Sequence, residues 1–349
     1  MQTRRNILKL AGAALAISAV GAFAHAEPSA ELIEAAKAEG EVVWYTGLIV
    51  NQVVRPLADG FAEKYGIEVK YATTSDADTL LKITSQARAG KIEADLFDTP
   101  GTAIAPMEAA GLIEPFVPDA LANYDPMFRP ESKLYDGIYT LFLTTTHNTD
   151  LVSAEDAPKT YEDLLDPKWK GQMVWSDTRG VSGPPGFIGN ILKTMGEEKG
   201  MDYLRKLSAQ DIIREPGNQR VTIDKVITGQ HQIGLMTYNH HAVISQGKGA
   251  PIAWIKMEPL VANLGAIALV KGAPHPNAAK LFLEYLFSVE GATIIRDANY
   301  PPGNPDVPAK EPSISPITGN FTFTLLPPEV ASQDAEPLKT WLKIYDELF

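Results

Sequence analysis

Residues 229–241 read GQHQIGLMTYNHH, and several other parts of the chain repeat their pattern. A glycine that can end a helix is followed by an apolar run and then by polar side chains. This order predicts a short buried strand over 233–237 whose carboxyl end carries Tyr238, His240 and His241. Because ligands of open α/β sheets bind in the crevice at such strand ends, we expect a binding site here. The alternative is an ordinary strand followed by a solvent-exposed loop.

The first third of the chain contains three more strands of this kind, each followed by a polar turn and a helix. They are predicted at 42–45, 67–71 and 94–97. This alternation is typical of a mostly parallel sheet covered by helices on both faces. Free N–H groups and a partial positive charge at the helix starts suit an anion, although ordinary helix capping explains the same small polar residues. The candidate ligand-binding residues in these turns are Tyr45, Thr46, Ser75 and Thr99.

An extended segment at 137–146 leads into a second series of strands and helices, and the chain returns along the apolar strand 264–270. This topology predicts a two-lobed α/β protein in which two crossing segments form a hinge between facing crevices. The predicted first lobe contains 27–143 and 254–349, and the predicted second lobe contains 144–253. One face of the last helix indicates core packing rather than ligand binding. Its residues are Leu338, Trp341, Leu342 and Tyr345.

Residues 1–26 have the pattern of an export signal. Arg4 and Arg5 precede an apolar run at 10–23, and residues 24–26 read AHA, which suits a signal peptidase. The paired arginines are typical of a twin-arginine signal, with general secretion as the alternative route. We therefore expect a soluble mature protein in the periplasm.

Composition excludes several classes of function. The chain has 31 basic and 43 acidic residues, and loss of the leader removes three bases and no acid, so the formal charge changes from −12 to −15. This excess argues against nucleic acid and anionic membranes as partners. The absence of cysteine excludes disulfides, thiolate metal sites and cysteine nucleophiles. No nucleophile-elbow, P-loop or zinc-protease motif is present, so we expect no enzyme, with an enzyme on the same fold as an alternative.

Three segments together resemble the solute-binding proteins of ABC transporters. They are LLDPKWKG at 164–171, HPNAAKLF at 275–282 followed by SVEG at 288–291, and NYPP at 299–302. The resemblance implies the type 2 periplasmic-binding-protein fold and is nearest to the subgroup that contains the ferric-iron-binding proteins. It also implies an ABC permease as partner, a small-molecule solute as ligand, a monomer and no cofactor.

The chain departs from that subgroup at the ligand. Ferric-binding members have a Tyr-Tyr pair where this chain has His240 and His241. Ferric iron prefers oxygen ligands, whereas neutral imidazole suits softer divalent metals, so iron is not expected. A metal carrier that uses both histidines with Asp76 or Asp177 is the alternative. If the strand continues through the pair, at most one histidine faces the cleft.

The anion side of the family's site carries over better. The resemblance implies an anion-holding helix start at Ser182 and Gly183, with Asn218 and Tyr238 close to it. Arg179, in the loop before that helix, could hold a carboxylate or phosphate with both guanidinium nitrogens. The expected ligand is a small organic anion, either a carboxylate or a phosphate or phosphonate. The predicted ligand-binding set is Tyr45, Thr46, Ser75, Thr99, Arg179, Ser182, Gly183, Asn218, Tyr238, His240 and His241.

Overall fold

The structure is a computed structural model that describes residues 27–99, 101 and 103–349. The predicted export signal at 1–26 lies outside these residues. Among the helices described, none is long and apolar enough to cross a membrane.

The strands of the described residues belong to one mixed sheet, and most of them are short. They are β1 (Glu41–Thr46), β2 (Glu68–Thr73), β3 (Leu96–Thr99), β4 (Ile113–Glu114), β5 (Asp136–Asn148), β6 (Met173–Ser176), β7 (Ile213–Glu215), β8 (Ile233–Tyr238), β9 (Ile252–Ile255), β10 (Leu260–Val270) and β11 (Phe323–Leu326).

Helices connect these strands and cover the sheet. They are α1 (Ala30–Glu39), α2 (Arg55–Tyr65), α3 (Asp76–Arg88), α4 (Ile104–Ala109), α5 (Pro184–Met195), α6 (Glu197–Ser208), α7 (Gln219–Ile227), α8 (Asn239–Gln246), α9 (Pro276–Phe287), α10 (Val289–Asp297), α11 (Pro328–Ala331) and α12 (Glu336–Leu348). A π-helical turn at Val50–Val54 precedes α2. Helix α1 shows the expected end signals, because Ser29 accepts the N–H of Leu32 and Gly40 ends the helix with φ 80°.

The sheet order is β2-β1-β3-β10-β5-β8-β6-β7. Strands β2, β1 and β3 are parallel to one another, as are β8, β6 and β7, while β10 and β5 run antiparallel to their neighbours in this order. Off this order, β11 pairs with β10 in parallel. Each parallel group forms the centre of one lobe, which we call lobe 1 (β2, β1, β3) and lobe 2 (β8, β6, β7). The prediction of a two-lobed, mostly parallel α/β fold is therefore confirmed.

The long strands β5 and β10 connect the lobes. The first half of β5 pairs with β10, and its second half pairs with β8 and β9 of lobe 2. Strand β10 in turn pairs with β3 of lobe 1 over Ala266–Leu269. Strands β5 and β10 are the adjacent strands of the sheet that run from one lobe to the other. Rotation between the lobes would therefore bend β5 and β10.

Each lobe has its own hydrophobic core. The lobe 1 core contains Trp44, Phe61 and Phe282, all fully buried between β1, α2 and α9. The lobe 2 core contains Trp175 and Phe187 from β6 and α5. Side chains change from the first core to the second between Leu141 and Leu143 of β5.

The C-terminal tail packs on lobe 2, which corrects that part of the sequence-based assignment of 254–349 to the first lobe, whereas α9 does belong to lobe 1. Leu338 and Tyr345 of α12 are fully buried in the lobe 2 core, and the Tyr345 ring lies 5.9 Å from Trp175. Ile255 and Met257 also belong to this core. The tail still contacts lobe 1 at α11, where the hydroxyl of Tyr135 donates to Glu329 over 3.0 Å. The apolar face of α12 was predicted correctly, but its partner was not.

Candidate functional site

A cleft of ≈ 350 Å³ lies between the lobes at the carboxyl ends of the central strands. Its position is the one that the parallel strand order favours for a ligand. Its lining residues are Gly47, Leu48, Thr74, Ser75, Asp98, Tyr139, Leu141, Tyr238, His240, His241 and Tyr300. A larger hollow of ≈ 560 Å³ is open to solvent on the surface of lobe 2, between Glu155 and Trp169, away from the strand ends.

The lobe 1 wall is built from three strand ends. Gly47 follows β1 and donates its N–H to Asp98 Oδ1 at the end of β3, over 3.2 Å. Ser75 follows β2 and starts α3, where its Oγ accepts the N–H of Asp78. This helix start is therefore capped by its own side chains. Among the described residues that line this wall, Asp98 presents the one carboxyl group, and the residue is 5% exposed.

The lobe 2 wall is the junction of β8 and α8. The strand ends at Tyr238, and the helix begins at Asn239 with no side-chain hydrogen bond to its first turn. His240 and His241 lie in that turn, with ring centroids 4.3 Å apart. His240 is only 5% exposed, and among the described residues neither imidazole Nδ1 has a hydrogen-bond partner. The wall is thus rich in unused N–H and imidazole groups beside a helix N-terminus.

The expectation that at most one histidine faces the cleft is wrong. It assumed that β8 continues through the pair, so that successive side chains would point to opposite faces. The chain instead turns into a helix at Asn239, where neighbouring side chains are about 100° apart around the axis. Both His240 and His241 consequently line the cleft.

Burial keeps both imidazoles neutral. It lowers the pKa of His240 well below 6.5, and the neighbouring His241 adds to the effect. The pKa of His241 is lowered to about 4 by burial and by the charge of Arg220, against a smaller opposite effect of Asp224. The empty cleft therefore offers hydrogen-bonding imidazoles rather than formal positive charges on lobe 2.

Three tyrosines complete the lining of the cleft. Burial raises the pKa of Tyr238 to about 12, and the nearby side chains of Ser182 and Asn263 have a smaller effect in the opposite direction. Burial and the carboxyl group of Asp98 raise the pKa of Tyr300. The ring of Tyr139 lies 4.7 Å from that of Tyr300. Raised pKa values keep Tyr238 and Tyr300 as protonated phenols that can donate hydrogen bonds.

Ser182 and Gly183 stand next to the cleft at the start of α5. Ser182 contacts the Tyr238 hydroxyl, and its carbonyl accepts the side-chain amide of Gln219 over 2.6 Å. A Cβ on Gly183 would lie 2.0 Å from the carbonyl oxygen of Thr178, so only glycine fits this turn. The predicted helix start is therefore present, and it supports the lobe 2 wall through Tyr238.

Three other predicted residues serve the turns of lobe 1. The hydroxyls of Thr46 and Thr99 are buried and accept the N–H groups of Leu48 and Gly101, respectively. The Tyr45 hydroxyl accepts a hydrogen bond from Gln86 of α3 over 2.9 Å. None of Tyr45, Thr46 and Thr99 is among the described residues that line the cleft. The alternative that such small polar residues cap turns, which the sequence left open, explains the contacts of Thr46 and Thr99.

Arg179 and Asn218 are occupied elsewhere, which corrects their prediction as ligand-binding residues. Arg179 does bind a carboxylate through two nitrogens, but the carboxylate is that of Asp346 in α12, with both distances 2.8 Å. Asn218 caps α7 by accepting the N–H groups of Arg220 and Val221. Neither residue lines the cleft.

Asp98, Tyr139 and Tyr300 are lining residues that the predicted set lacks. Asp98 directly precedes the predicted Thr99, and successive strand residues point to opposite faces, so the choice of Thr99 selected the wrong face. Tyr300 lies in the NYPP segment, which was used as a mark of the fold and not of the site. Tyr139 comes from β5, whose register with β10 brings it to the cleft.

The described residues give little support to the alternative of a metal-ion carrier. The described residues contain no group of three or more His, Asp or Glu side chains that could hold a metal ion. Asp177, one of the two carboxylates named for this alternative, accepts the Tyr345 hydroxyl over 2.7 Å. The side chain of the other, Asp76, lies outside the described part of the chain.

Fold and cleft together define a two-lobed α/β protein with a crevice between its lobes. Residues 56–317 match the family described as "Bacterial extracellular solute-binding protein", and the chain belongs to this family.

The ligands printed in the names of similar proteins differ from one protein to another. A Fe(3+)-binding periplasmic protein of Serratia marcescens is 25% identical over 76% of this chain and 79% of its own. A putative 2-aminoethylphosphonate-binding periplasmic protein of Salmonella paratyphi A is 22% identical over 69% of this chain and 71% of its own. The periplasmic binding protein AfuA of Actinobacillus pleuropneumoniae, solved with exogenous fructose-6-phosphate bound, matches with a TM-score of 0.68 at 20% identity, covering 88% of this chain and 98% of its own.

Proposed function

We propose that this protein is the exported solute-binding component of an ABC importer and that it binds a small organic anion between its lobes. The observation that carries the proposal is the start of α8. Its first turn has no side-chain cap, and it holds the buried His240 and the half-buried His241, whose buried Nδ1 atoms have no partner among the described residues. Buried polar groups of this kind are normally satisfied, so a ligand that accepts hydrogen bonds fits here.

The helix start favours an anion over a neutral acceptor. The N-terminal N–H groups of a helix carry a partial positive charge, and His240 and His241 add donors without any formal charge to desolvate. The Tyr238 phenol, which lines the cleft and stays protonated because burial raises its pKa, contributes another donor. A carboxylate, phosphate or phosphonate has several acceptor oxygens and can use all of these groups.

The names of two matched proteins support the same class of ligand. One carries 2-aminoethylphosphonate in its name, and the other was solved with fructose-6-phosphate. Both compounds are organic molecules with a phosphorus oxyanion. The matched Fe(3+)-binding protein points to a metal instead. The described residues contain no group of three or more His, Asp or Glu side chains that could hold a metal ion, and this favours the anion for this chain.

Ligand closure would use the hinge in β5 and β10. A ligand whose anionic group is held on α8 of lobe 2 and which also reaches the lobe 1 wall bridges the two lobes and stabilises the closed state. The closed, loaded protein would then deliver its solute from the periplasm to an ABC permease. A monomer is sufficient for this cycle.

Native mass spectrometry of the mature protein tests the proposal directly. We expect a mass excess of one small organic molecule that disappears in the denatured spectrum of the same sample. A metal-ion excess that a chelator removes would contradict the anion and establish the metal alternative. If the protein is purified empty, calorimetric titration with ethylphosphonate, ethyl phosphate and propanoate replaces the first measurement, and His241→Gln should weaken whichever of them binds.

A further inference from the structure

The two walls of the cleft have opposite chemistry. Lobe 2 presents a helix start and imidazole donors, whereas lobe 1 presents the carboxyl group of Asp98. A simple anion that fills the cleft would gain hydrogen bonds on one wall and meet a like charge on the other. The two walls are therefore better matched by a ligand with a hydrogen-bond acceptor at the end that faces lobe 2 and a hydrogen-bond donor at the end that faces lobe 1.

Two tyrosines line the cleft together with this carboxyl group. Asp98 is close enough to Tyr300 for its charge to affect the phenol, and the Tyr300 ring lies 4.7 Å from Tyr139. Carboxylates bind ammonium groups through charge-assisted hydrogen bonds, and aromatic faces attract cations. Together these residues form a small region of lobe 1 that suits an organic ammonium group.

The lobe 1 wall does not offer an anion the same support as lobe 2. The start of α3 is already capped, because Ser75 accepts the N–H of Asp78. The N–H of Gly47 points to Asp98 Oδ1. An anionic group placed on this wall would compete with existing hydrogen bonds, whereas an ammonium group would add to them.

We propose that the ligand is a short dipolar molecule whose anionic end lies on α8, with its ammonium end on Asp98 beside the contacting rings of Tyr139 and Tyr300. This inference rests on the proposed function and names the ligand class more narrowly. Asp98 is then the residue that selects amino compounds over plain anions. The ligand is short, because its two ends must reach opposite walls of a cleft of ≈ 350 Å³.

Matched pairs of ligands that differ only in the ammonium group test this inference. The pairs are aminoethylphosphonate with ethylphosphonate, phosphoethanolamine with ethyl phosphate, and β-alanine with propanoate. Calorimetric titration of the full mature protein should show that the amino member of the tightest-binding pair binds about tenfold tighter or more. In Asp98→Asn this preference should fall to less than about threefold, while the plain anion binds at least as tightly as before.

The variant preserves local structure, because the asparagine Oδ1 can still accept the N–H of Gly47. Its thermal unfolding should remain close to that of the wild type. Asp59→Asn removes an exposed carboxylate of α2 in the same lobe and serves as the matched control, with its preference unchanged.

Each other outcome overturns a specific statement. If the plain anions bind as tightly as the amino compounds, the dipolar ligand is wrong and the proposed anion carrier stands. If the preference survives in Asp98→Asn, Asp98 is not its origin and the assignment fails. If no member of any pair binds, the anion carrier fails together with the inference.

Discussion

The two walls of the cleft have the same architecture, but the helix starts at their edges differ. On each wall a strand ends, the chain turns, and a helix begins toward the other lobe. In lobe 1 the helix start of α3 is closed by Ser75 and Asp78, which bond to each other. In lobe 2 the start of α8 has no side-chain cap, and two histidines stand in it. A helix start whose N–H groups are satisfied within the chain is structural, and one left open is available to a ligand.

The walls also differ in charge. Asp98 gives lobe 1 a carboxyl group, whereas burial holds the histidines of lobe 2 neutral. Neutral imidazoles cost little to bury, and they can still take up a proton when an anion arrives. The overall charge of the chain, which is strongly negative, therefore says little about the field inside the cleft.

A carboxylate on the lobe 2 wall should remove the difference between the walls and abolish binding. We expect His241→Glu to weaken the tightest-binding anion of the matched series by about 100-fold or more, because the ligand would then face acids on both sides. His231→Glu adds the same charge to lobe 2 outside the cleft lining and should have little effect. Calorimetric titration measures both. Equal losses of affinity in the two variants would show that the net charge of the protein, and not the chemistry of the lobe 2 wall, controls binding.

The turn before α5 should tolerate no side chain at Gly183. In Gly183→Ala the added methyl group would lie 2.0 Å from the Thr178 carbonyl oxygen, and we expect a loss of about 2 kcal/mol in the free energy of unfolding. The matched control is Gly180→Ala in the same loop, where a Cβ would meet no atom within 4 Å. Urea unfolding measures the difference. Similar stability of the two variants would contradict the close approach.

The histidines should make the empty protein less stable in acid. Since burial lowers their pKa values, the unfolded chain binds protons below pH 6.5 that the folded protein does not. Their contribution is present above pH 6.5 and is lost as the pH falls toward about 4, the folded value of His241. Urea unfolding between these pH values should show a loss in wild type that exceeds that in His241→Gln by roughly 1 kcal/mol or more. Equal pH dependence would show that His241 is not buried as a neutral group.

Arg179 should have the smallest effect. Because its guanidinium binds Asp346 and lies outside the cleft lining, Arg179→Ala should change ligand affinity less than about twofold. The pair is half exposed, so the free energy of unfolding should fall by less than about 1 kcal/mol. Titration and urea unfolding check both values. A large loss of affinity with unchanged stability would restore the sequence-based assignment of Arg179 to the ligand.

Local pattern was sufficient for the elements and for the class of fold. The spacing of apolar residues gave the strand before Tyr238, and repeated strand and helix signals gave the two lobes. It failed at the strand end, because the change from β8 to α8 depends on a single turn at Asn239. A periodicity argument cannot locate such a change to one residue.

The sequence by itself determined the two-lobed α/β fold, the strand ends that meet at the cleft, and the position of Tyr238, His240 and His241 at one of them. These follow from side-chain spacing and turn residues, which act over a few positions. Only the tertiary structure decided that Arg179 binds Asp346, that α12 belongs to lobe 2, and that Asp98, Tyr139 and Tyr300 complete the cleft. Those contacts join residues far apart in the chain, and each depends on packing and on competition among several possible partners. No local pattern contains that competition, so the lining of the cleft had to be read from the fold.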